Sequence, residues 1–183
     1  VPSYYKNRMS QRALRLFFEG IAQHAPAPLL LYNIPQYSGI QLEPELVEDL
    51  ASHEGIAGMK DSSGNLIYLQ SILRRVEDKS FQVVLGSAQL LGAASQLGIR
   101  GGILAIACAL PEMPIQVLAG RASASERKRS LARLFSASQT LVARFGIPGL
   151  KYAMDLAGLQ GGFCRRPLLP LEKGEEAYIR KEI

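Results

Sequence analysis

Four short apolar runs mark the first two thirds of the chain, and none of them alternates between apolar and polar positions. Continuous runs of this length are typical of strands that are buried on both faces of a parallel sheet. Segments with apolar residues at helical spacing lie between them, as the crossovers of a parallel sheet require. The predicted strands are 29–34, 56–59, 81–85 and 102–107, and the predicted crossover helices are 44–53, 66–76 and 90–97.

The rest of the chain is predicted to be helical. Ser10 is a suitable N-cap for a helix that precedes the first strand. After Ala109 the pattern indicates helices alone: a long one at 125–145, a break at 146–149, and shorter helices at 150–156 and 172–180. The predicted division is therefore a βα domain at residues 1–120 and a helical extension at residues 121–183.

Two α/β architectures are compatible with this order, a doubly wound sheet and an α/β barrel. A complete eight-stranded barrel usually needs about 250 residues. The chain has 183 residues. The pattern of apolar positions alone leaves the choice open.

Composition and charge exclude several classes of protein. The chain is 48% hydrophobic and 20% charged, which excludes intrinsic disorder. The net charge of +5 is mild, and the densest basic stretch, 121–133, lacks the interleaved aromatic residues of a single-strand nucleic-acid site. No apolar run reaches the 18 residues of a membrane span. The sequence therefore predicts neither a nucleic-acid partner nor a membrane partner.

Metal and nucleotide sites lack their sequence signals. Cys108 and Cys164 lie far apart, and no histidines cluster near them, so neither a disulfide framework nor a zinc site is predicted. No strand is followed by a glycine-rich phosphate-binding motif. The sequence therefore predicts no cofactor.

Lys60 is the strongest candidate for chemistry. It follows the apolar strand 56–59 directly, and active sites of parallel α/β folds are built at the carboxyl ends of strands. A desolvated, neutral lysine amine attacks a carbonyl carbon, and the product with a 2-oxo acid is a Schiff base. The alternative is a solvated lysine that extends from the strand end and neutralises Asp61.

Tyr32 occupies the equivalent end of the preceding strand. On a parallel sheet its side chain could converge with that of Lys60, where a phenol could relay protons to and from substrate oxygens. The alternative is a tyrosine that only fills the core. The joint placement of the two residues leaves both interpretations open.

Both residues lie in longer runs that resemble the signature of the dihydrodipicolinate synthase and N-acetylneuraminate lyase superfamily. These runs are YNIP at 32–35, SG at 38–39 and GMKDS at 58–62. The resemblance covers nearly the whole chain. Within the superfamily, three further runs are most similar to 4-hydroxy-2-oxoglutarate aldolase: YYKNRMS at 4–10, GSA at 86–88 and RFGIPGLK at 144–151.

The resemblance implies a (β/α)8 TIM barrel, of which this chain is the C-terminal half, strands five to eight, followed by a C-terminal helical extension. It implies a class I aldolase, a lyase that uses no metal and no cofactor, acts on a small-molecule oxo acid, and is usually a homotetramer. It also implies a cytoplasmic location if the source is bacterial, or the mitochondrial matrix if the source is an animal.

The resemblance also implies roles for individual residues. Lys60 would form the Schiff base, and Tyr32 would move the proton of the bond-breaking step. Tyr4 or Tyr5 would reach a neighbouring subunit's site, with Tyr4 preferred as the catalytic residue and Tyr5 as a substrate-binding one. The other implied substrate-binding residues are Ser62, Gly86 and Ile103.

The predicted reaction is cleavage of a 4-hydroxy-2-oxo acid, with 4-hydroxy-2-oxoglutarate giving pyruvate and glyoxylate. The alternatives within the superfamily are an N-acetylneuraminate lyase and a dihydrodipicolinate synthase. The synthase branch has an arginine five positions after the signature tyrosine, where it holds a second substrate carboxylate. Here that position is Tyr37, which disfavours synthase activity.

The superfamily's first four strands, with the paired hydroxyl residues that bind the substrate carboxylate, have no counterpart in this chain. A rival hypothesis is therefore a non-catalytic, truncated chain that associates with a full-length partner. A further alternative is a flavodoxin-like binding module, in which Lys60 would have no role.

Overall fold

The structure, a computed structural model, describes residues 9–77, 79–119 and 123–183. They fall into two compact units. The first lies within residues 1–87 and 97–102, and the second within 88–96 and 103–183. The predicted domain boundary at residues 120–121 lies outside the described residues and stays a prediction.

The first unit is built on a three-stranded parallel sheet of order β1-β2-β3. The strands are β1 (Leu29–Asn33), β2 (Ile56–Asp61) and β3 (Gln82–Leu85). They correspond to the first three predicted strands. Four helices connect them or precede them: α1 (Gln11–Ala22), α2 (Pro35–Ser38), α3 (Pro44–Leu50) and α4 (Leu66–Arg75).

Sequence signals account for the ends of two of these helices. Ser10 caps α1 by accepting a hydrogen bond from the Ala13 amide, as predicted. Asn65 caps α4 by accepting from the amides of Ile67 and Tyr68. These caps satisfy amide groups that have no partner within the helix.

One face of the sheet packs against helices α1, α3 and α4 and forms the core of the unit. Met59 of β2, Val47 of α3 and Ile72 of α4 are completely buried there, and Leu14 of α1 and Leu31 of β1 are 1% exposed. The opposite face is different, because Leu30 and Tyr32 of β1 are 48% and 49% exposed. The prediction that the strands are buried on both faces is thus wrong for β1, since the helices of this unit cover one face only.

The predicted fourth strand at 102–107 is also wrong. Among the described residues, this run contributes a single bridge, between Leu85 and Gly102, and Ala105–Cys108 is a 3₁₀ helix. Register explains the difference. Leu85 is the last residue of β3 and pairs with Gly102, so β3 offers no backbone partner to the residues that follow Gly102.

The second unit consists of helices, as predicted for the end of the chain. Gly146 has a φ of 59°, and α8 begins at this residue, so the predicted break at 146–149 lies in the first turn of that helix. No helix among the residues that the structure describes is long and apolar enough to cross a membrane. The helices are α5 (Leu91–Gln96), α6 (Glu112–Leu118), α7 (Ala124–Ser138), α8 (Gly146–Leu156) and α9 (Lys173–Glu182), with a π-helical turn at Gln139–Arg144.

Candidate active site

The register of the sheet brings Lys60 and Tyr32 together. They are paired neighbours in adjacent strands, so their side chains project from the same face. The Nζ atom of Lys60 lies 4.3 Å from the centroid of the Tyr32 ring. This distance is within the range of a cation–π contact, about 6 Å.

Gly86 lies directly against the side chains of Lys60 and Ser62. A Cβ atom at Gly86 would overlap the Oγ atom of Ser62 and lie 2.9 Å from Cε of Lys60. The Gly86 amide donates a hydrogen bond to the Asp61 carbonyl at 2.7 Å. The absence of a side chain at this position therefore lets the chain after β3 approach the lysine and the serine hydroxyl.

The end of β2 holds a buried carboxylate that the sequence interpretation did not assign to the site. Asp61 is 1% exposed. Its Oδ1 atom accepts hydrogen bonds from Asn33 Nδ2 at 2.8 Å and from the Ser63 amide at 3.2 Å, and its Oδ2 atom accepts from Ser63 Oγ at 2.9 Å. Three donors stabilise the buried charge, as buried polar groups require.

Asn33 extends this network to the end of β1. It is 1% exposed, and its Oδ1 atom accepts a hydrogen bond from the Leu42 amide at 3.2 Å. Its carbonyl accepts from the Ser62 amide at 2.9 Å. Asn33 thus ties the two strand ends that carry Tyr32 and Lys60. Polar residues immediately after apolar runs were the sequence signal that could have identified Asn33 and Asp61.

Gln36, in the segment after β1, also fixes the position of Ser62 after β2. Its Nε2 atom donates a hydrogen bond to the Ser62 carbonyl at 2.7 Å. Both backbone groups of Ser62 are therefore bonded to the segment that follows β1. The position of the Ser62 hydroxyl depends on these bonds.

Tyr68 is a second phenol near the network, but its environment keeps it protonated. Burial, followed by the negative charges of Asp61 and Glu43, raises the pKa of Tyr68 well above its ordinary value. Its hydroxyl donates to the Leu42 carbonyl at 2.6 Å. Tyr68 therefore stabilises the core and is not a candidate for proton transfer.

The structure brings together four of the residues singled out from the sequence: Lys60, Tyr32, Ser62 and Gly86. Ile103 belongs to the second unit, where it is 50% exposed. Tyr4 and Tyr5 lie outside the described residues. The described residues contain no group of three or more side chains that could hold a metal ion.

A groove elsewhere on the first unit does not belong to this site. It has a volume of about 780 Å³ and lies between the end of α4, β3 and residues 97–101. Neither Lys60 nor Tyr32 lines it.

The site combines an amine, a phenol and a hydroxyl at the carboxyl ends of parallel strands. A lysine amine forms a Schiff base with a carbonyl compound, and a phenol can accept and return a proton beside it. The arrangement is therefore suited to covalent chemistry on a carbonyl substrate.

Comparisons with known proteins agree on one family. The model of the dihydrodipicolinate synthetase family matches residues 1–183. A 4-hydroxy-tetrahydrodipicolinate synthase from Methanothrix thermoacetophila is 30% identical over 96% of this chain and 60% of its own length. The corresponding enzyme of Methanosarcina barkeri is 32% identical over 99% of this chain and 63% of its own length. The chain thus spans about three fifths of the length of these curated relatives.

Solved structures give the same result. A dihydrodipicolinate synthase from Bacteroides thetaiotaomicron superimposes with a TM-score of 0.88 at 28% identity, covering 99% of this chain and 63% of that one. A prophage protein of the dihydrodipicolinic acid synthase family from Escherichia coli K12, solved with pyruvate, superimposes with a TM-score of 0.85 at 26% identity, covering 97% and 61%. The predicted α/β fold of this superfamily is confirmed.

Proposed function

Because the chain belongs to the dihydrodipicolinate synthetase family, we propose that it carries the Schiff-base centre of a pyruvate-dependent lyase or synthase, with Lys60 as the nucleophile. The observation that supports this most is the convergence of Lys60 and Tyr32, with Nζ 4.3 Å from the ring centroid. The contact of Gly86 with Lys60 and Ser62 adds to it.

In the first step the neutral amine of Lys60 attacks the keto carbon of pyruvate. The carbinolamine then loses water, and a protonated imine links Nζ to the former carbonyl carbon. The positive charge on nitrogen withdraws electrons from the imine carbon and so acidifies the methyl group bonded to it. Tyr32 takes a proton from this methyl group, and the product is an enamine, the nucleophile of a condensation.

In the cleavage direction a 4-hydroxy-2-oxo acid forms the same imine. Tyr32 takes the proton of the 4-hydroxyl group, the C3–C4 bond breaks, and its electrons move to the imine nitrogen. The aldehyde leaves, and reprotonation and hydrolysis release pyruvate and the free amine. We propose that the Ser62 hydroxyl donates a hydrogen bond to the substrate.

A second candidate is narrower: a 4-hydroxy-2-oxoglutarate aldolase that releases glyoxylate. It is favoured by Tyr37, which stands where the synthase branch has an arginine. Tyr37 is 84% exposed, and a phenol offers no cation to a second substrate carboxylate. The curated relatives bear the name of the synthase instead, so the broader function is our main proposal.

Further proposals concern the rest of the protein, because the chain covers about three fifths of the length of its relatives. We propose that it corresponds to strands five to eight of a TIM barrel and the helical extension, and that activity needs the carboxylate-binding half of the barrel. Assembly into a homotetramer, with Tyr4 reaching a neighbouring site, belongs to the same proposal. A non-catalytic chain that joins a full-length partner is the rival.

Borohydride trapping tests the proposal. The chain is incubated with pyruvate, reduced with borohydride and digested, and the peptide that carries the reduced pyruvyl group is located by mass spectrometry. We expect the adduct on Lys60, its loss in Lys60→Met, and its retention in Lys79→Met, which removes a lysine outside the site. An adduct that survives in Lys60→Met would contradict the proposal.

The substrate is tested separately. Release of glyoxylate from 4-hydroxy-2-oxoglutarate supports the aldolase, whereas condensation of pyruvate with an aldehyde that carries a second carboxylate supports the synthase. Absence of both activities, together with absence of the adduct, favours the non-catalytic rival.

A further inference from the structure

The side chain of Tyr32 offers two different groups to the site, a hydroxyl and an aromatic face. We propose that the aromatic face holds the positive charge at Nζ of Lys60, first as an ammonium group and then as the protonated imine. This role is independent of proton transfer by the hydroxyl. Its second half rests on the proposed function, whereas the first half concerns the free protein.

The geometry supports a contact with the ring face. Nζ lies 4.3 Å from the ring centroid, and the register that pairs Tyr32 with Lys60 sets this approach through the backbone. The sheet is parallel and both residues lie near its carboxyl end, so neither side chain must leave its strand to make the contact.

The Tyr32 ring, and not an acidic side chain, is the partner of Lys60 among the described residues. Among the residues that the structure describes, Lys60 is in no ion pair. Asp61 is its neighbour in sequence, but consecutive strand residues project to opposite faces. The Asp61 carboxylate is occupied by Asn33 and Ser63. The electron-rich face of Tyr32 is thus the group that stabilises the cation.

The chemistry makes this contact useful once the imine has formed, whereas the initial attack needs the neutral amine. The protonated imine carries its charge on the same nitrogen, so a ring that binds the ammonium group also binds the imine. A cation–π contact contributes roughly 0.5–2 kcal/mol, depending on desolvation, which corresponds to roughly a 2- to 30-fold change in the equilibrium between the charged and the neutral form of this nitrogen. Because the ammonium group and the protonated imine gain alike, the equilibrium between these two charged forms does not change. Tyr32 would therefore keep the imine protonated through its ring and serve the later proton transfer through its hydroxyl.

Two substitutions separate the face from the hydroxyl. Tyr32→Phe keeps the ring and removes the hydroxyl, whereas Tyr32→Leu removes both. Tyr32 is 49% exposed, so neither change opens a core cavity. Tyr178→Leu is a matched control, because it removes a ring that faces Arg144 in the second unit.

The contact in the free protein is measured by NMR after reductive ¹³C-methylation of the lysines, with Lys60 assigned by the loss of its signal in Lys60→Arg. A methyl group above a ring is shifted upfield by the ring current. We expect an upfield Lys60 signal in the unsubstituted protein, in Tyr32→Phe and in Tyr178→Leu, and a normal position in Tyr32→Leu. A normal position in the unsubstituted protein, or no change in Tyr32→Leu, overturns the inference.

The imine is measured by borohydride trapping at subsaturating pyruvate, and proton transfer by deuterium exchange at the pyruvate methyl group. We expect Tyr32→Phe to keep the adduct and lose exchange. The adduct is trapped over a series of pH values, because borohydride reduces the protonated imine, and Tyr32→Leu should lose adduct at a pH roughly 0.4–1.5 units lower than the unsubstituted protein. Equal adduct in Tyr32→Leu and the unsubstituted protein at every pH overturns the imine half. An upfield Lys60 signal without any adduct in the unsubstituted protein supports the ring contact and contradicts the proposed function.

Discussion

Gly86 illustrates what a single residue contributes to the site. It has no side chain, and the space that a Cβ would need is taken by Ser62 Oγ and Lys60 Cε. The sequence predicts Gly86 as a substrate-binding position by resemblance alone. The tertiary contact adds the physical reason why a larger residue does not fit.

A first prediction concerns Gly86→Ala. The added methyl group would displace the Ser62 hydroxyl and the lysine side chain, so we expect the pyruvate adduct at Lys60 to fall at least tenfold. Trapping by borohydride measures the adduct. Gly64→Ala does not serve as a control, because Gly64 has a φ of 75°. Gly20→Ala is the control instead, because Gly20 lies in α1 with open space around it. The amount of adduct at Lys60 in this variant should equal that in the unsubstituted protein.

A second prediction concerns Asp61→Asn. The substitution keeps the shape of the side chain but replaces one acceptor oxygen with an NH2 donor. That donor would then face another donor, either Asn33 Nδ2 or a donor of Ser63. Loss of a buried, charge-assisted network of this kind destabilises by about 2–3 kcal/mol. Urea unfolding followed by circular dichroism measures the change.

Asn33 provides the cross-check for that network. The double variant Asn33→Asp/Asp61→Asn swaps the two side chains, so that an amide at position 61 can donate to a carboxylate at position 33. It should therefore recover part of the stability that Asp61→Asn loses. A double variant that is as unstable as the sum of the two single variants would argue against a direct Asn33–Asp61 contact.

At the scale of elements, α7 begins with a capping box formed by Ser123 and Glu126. The Ser123 hydroxyl accepts from the Glu126 amide, and the Glu126 carboxylate accepts from the Ser123 amide. The Ser123 hydroxyl also donates a hydrogen bond to the Glu126 carboxylate, and this bond, followed by the one from the Ser123 amide, lowers the pKa of Glu126. The carboxylate therefore supports the helix only while it is ionised.

The third prediction follows from the sign of this shift. A carboxyl group whose pKa is lower in the folded state stabilises the fold above its unfolded pKa, about 4.3, and loses that contribution as the pH falls through the folded value. We expect the stability difference between the unsubstituted protein and Glu126→Gln to shrink on acidification below about pH 4.3. Urea unfolding at a series of pH values measures it. A difference that does not depend on pH would contradict the assignment.

Strand prediction succeeded where a strand has a partner along its length. Residues 29–34, 56–59 and 81–85 carry continuous apolar runs, and each forms a strand that pairs with a neighbour. Residues 102–107 carry a similar run but pair at Gly102 alone. Apolar patterning records the tendency to be buried, whereas strand formation also needs an adjacent backbone that is free to bond.

At the scale of the whole molecule, the sheet has a surface that the described residues leave uncovered. Among those residues, no strand pairs with the outer edge of β1. Leu30 and Tyr32, on its open face, are about half exposed. Unpaired edges and exposed apolar faces favour association.

The fourth prediction is that the chain associates in solution through this surface. We expect sedimentation velocity to show species larger than a monomer, and Leu30→Lys to shift the distribution toward the monomer. Ile67→Lys, at an 81% exposed position of α4, is the matched control and should leave the distribution unchanged. A monomer at all concentrations would rule out association through β1 and weaken the predicted homotetramer.

The sequence alone predicted the first three strands and the helical end of the chain, because these depend on local periodicity. The resemblance carried by short runs of residues implied the class of fold and the roles of Lys60 and Tyr32. The tertiary structure decided what depends on contacts between distant positions. It placed Gly86 against Lys60 and Ser62, tied Asn33 to Asp61, and turned the face of Tyr32 toward Nζ. It also left one face of β1 open, because burial of a strand depends on which elements pack against it, and the strand's own residues do not specify those elements.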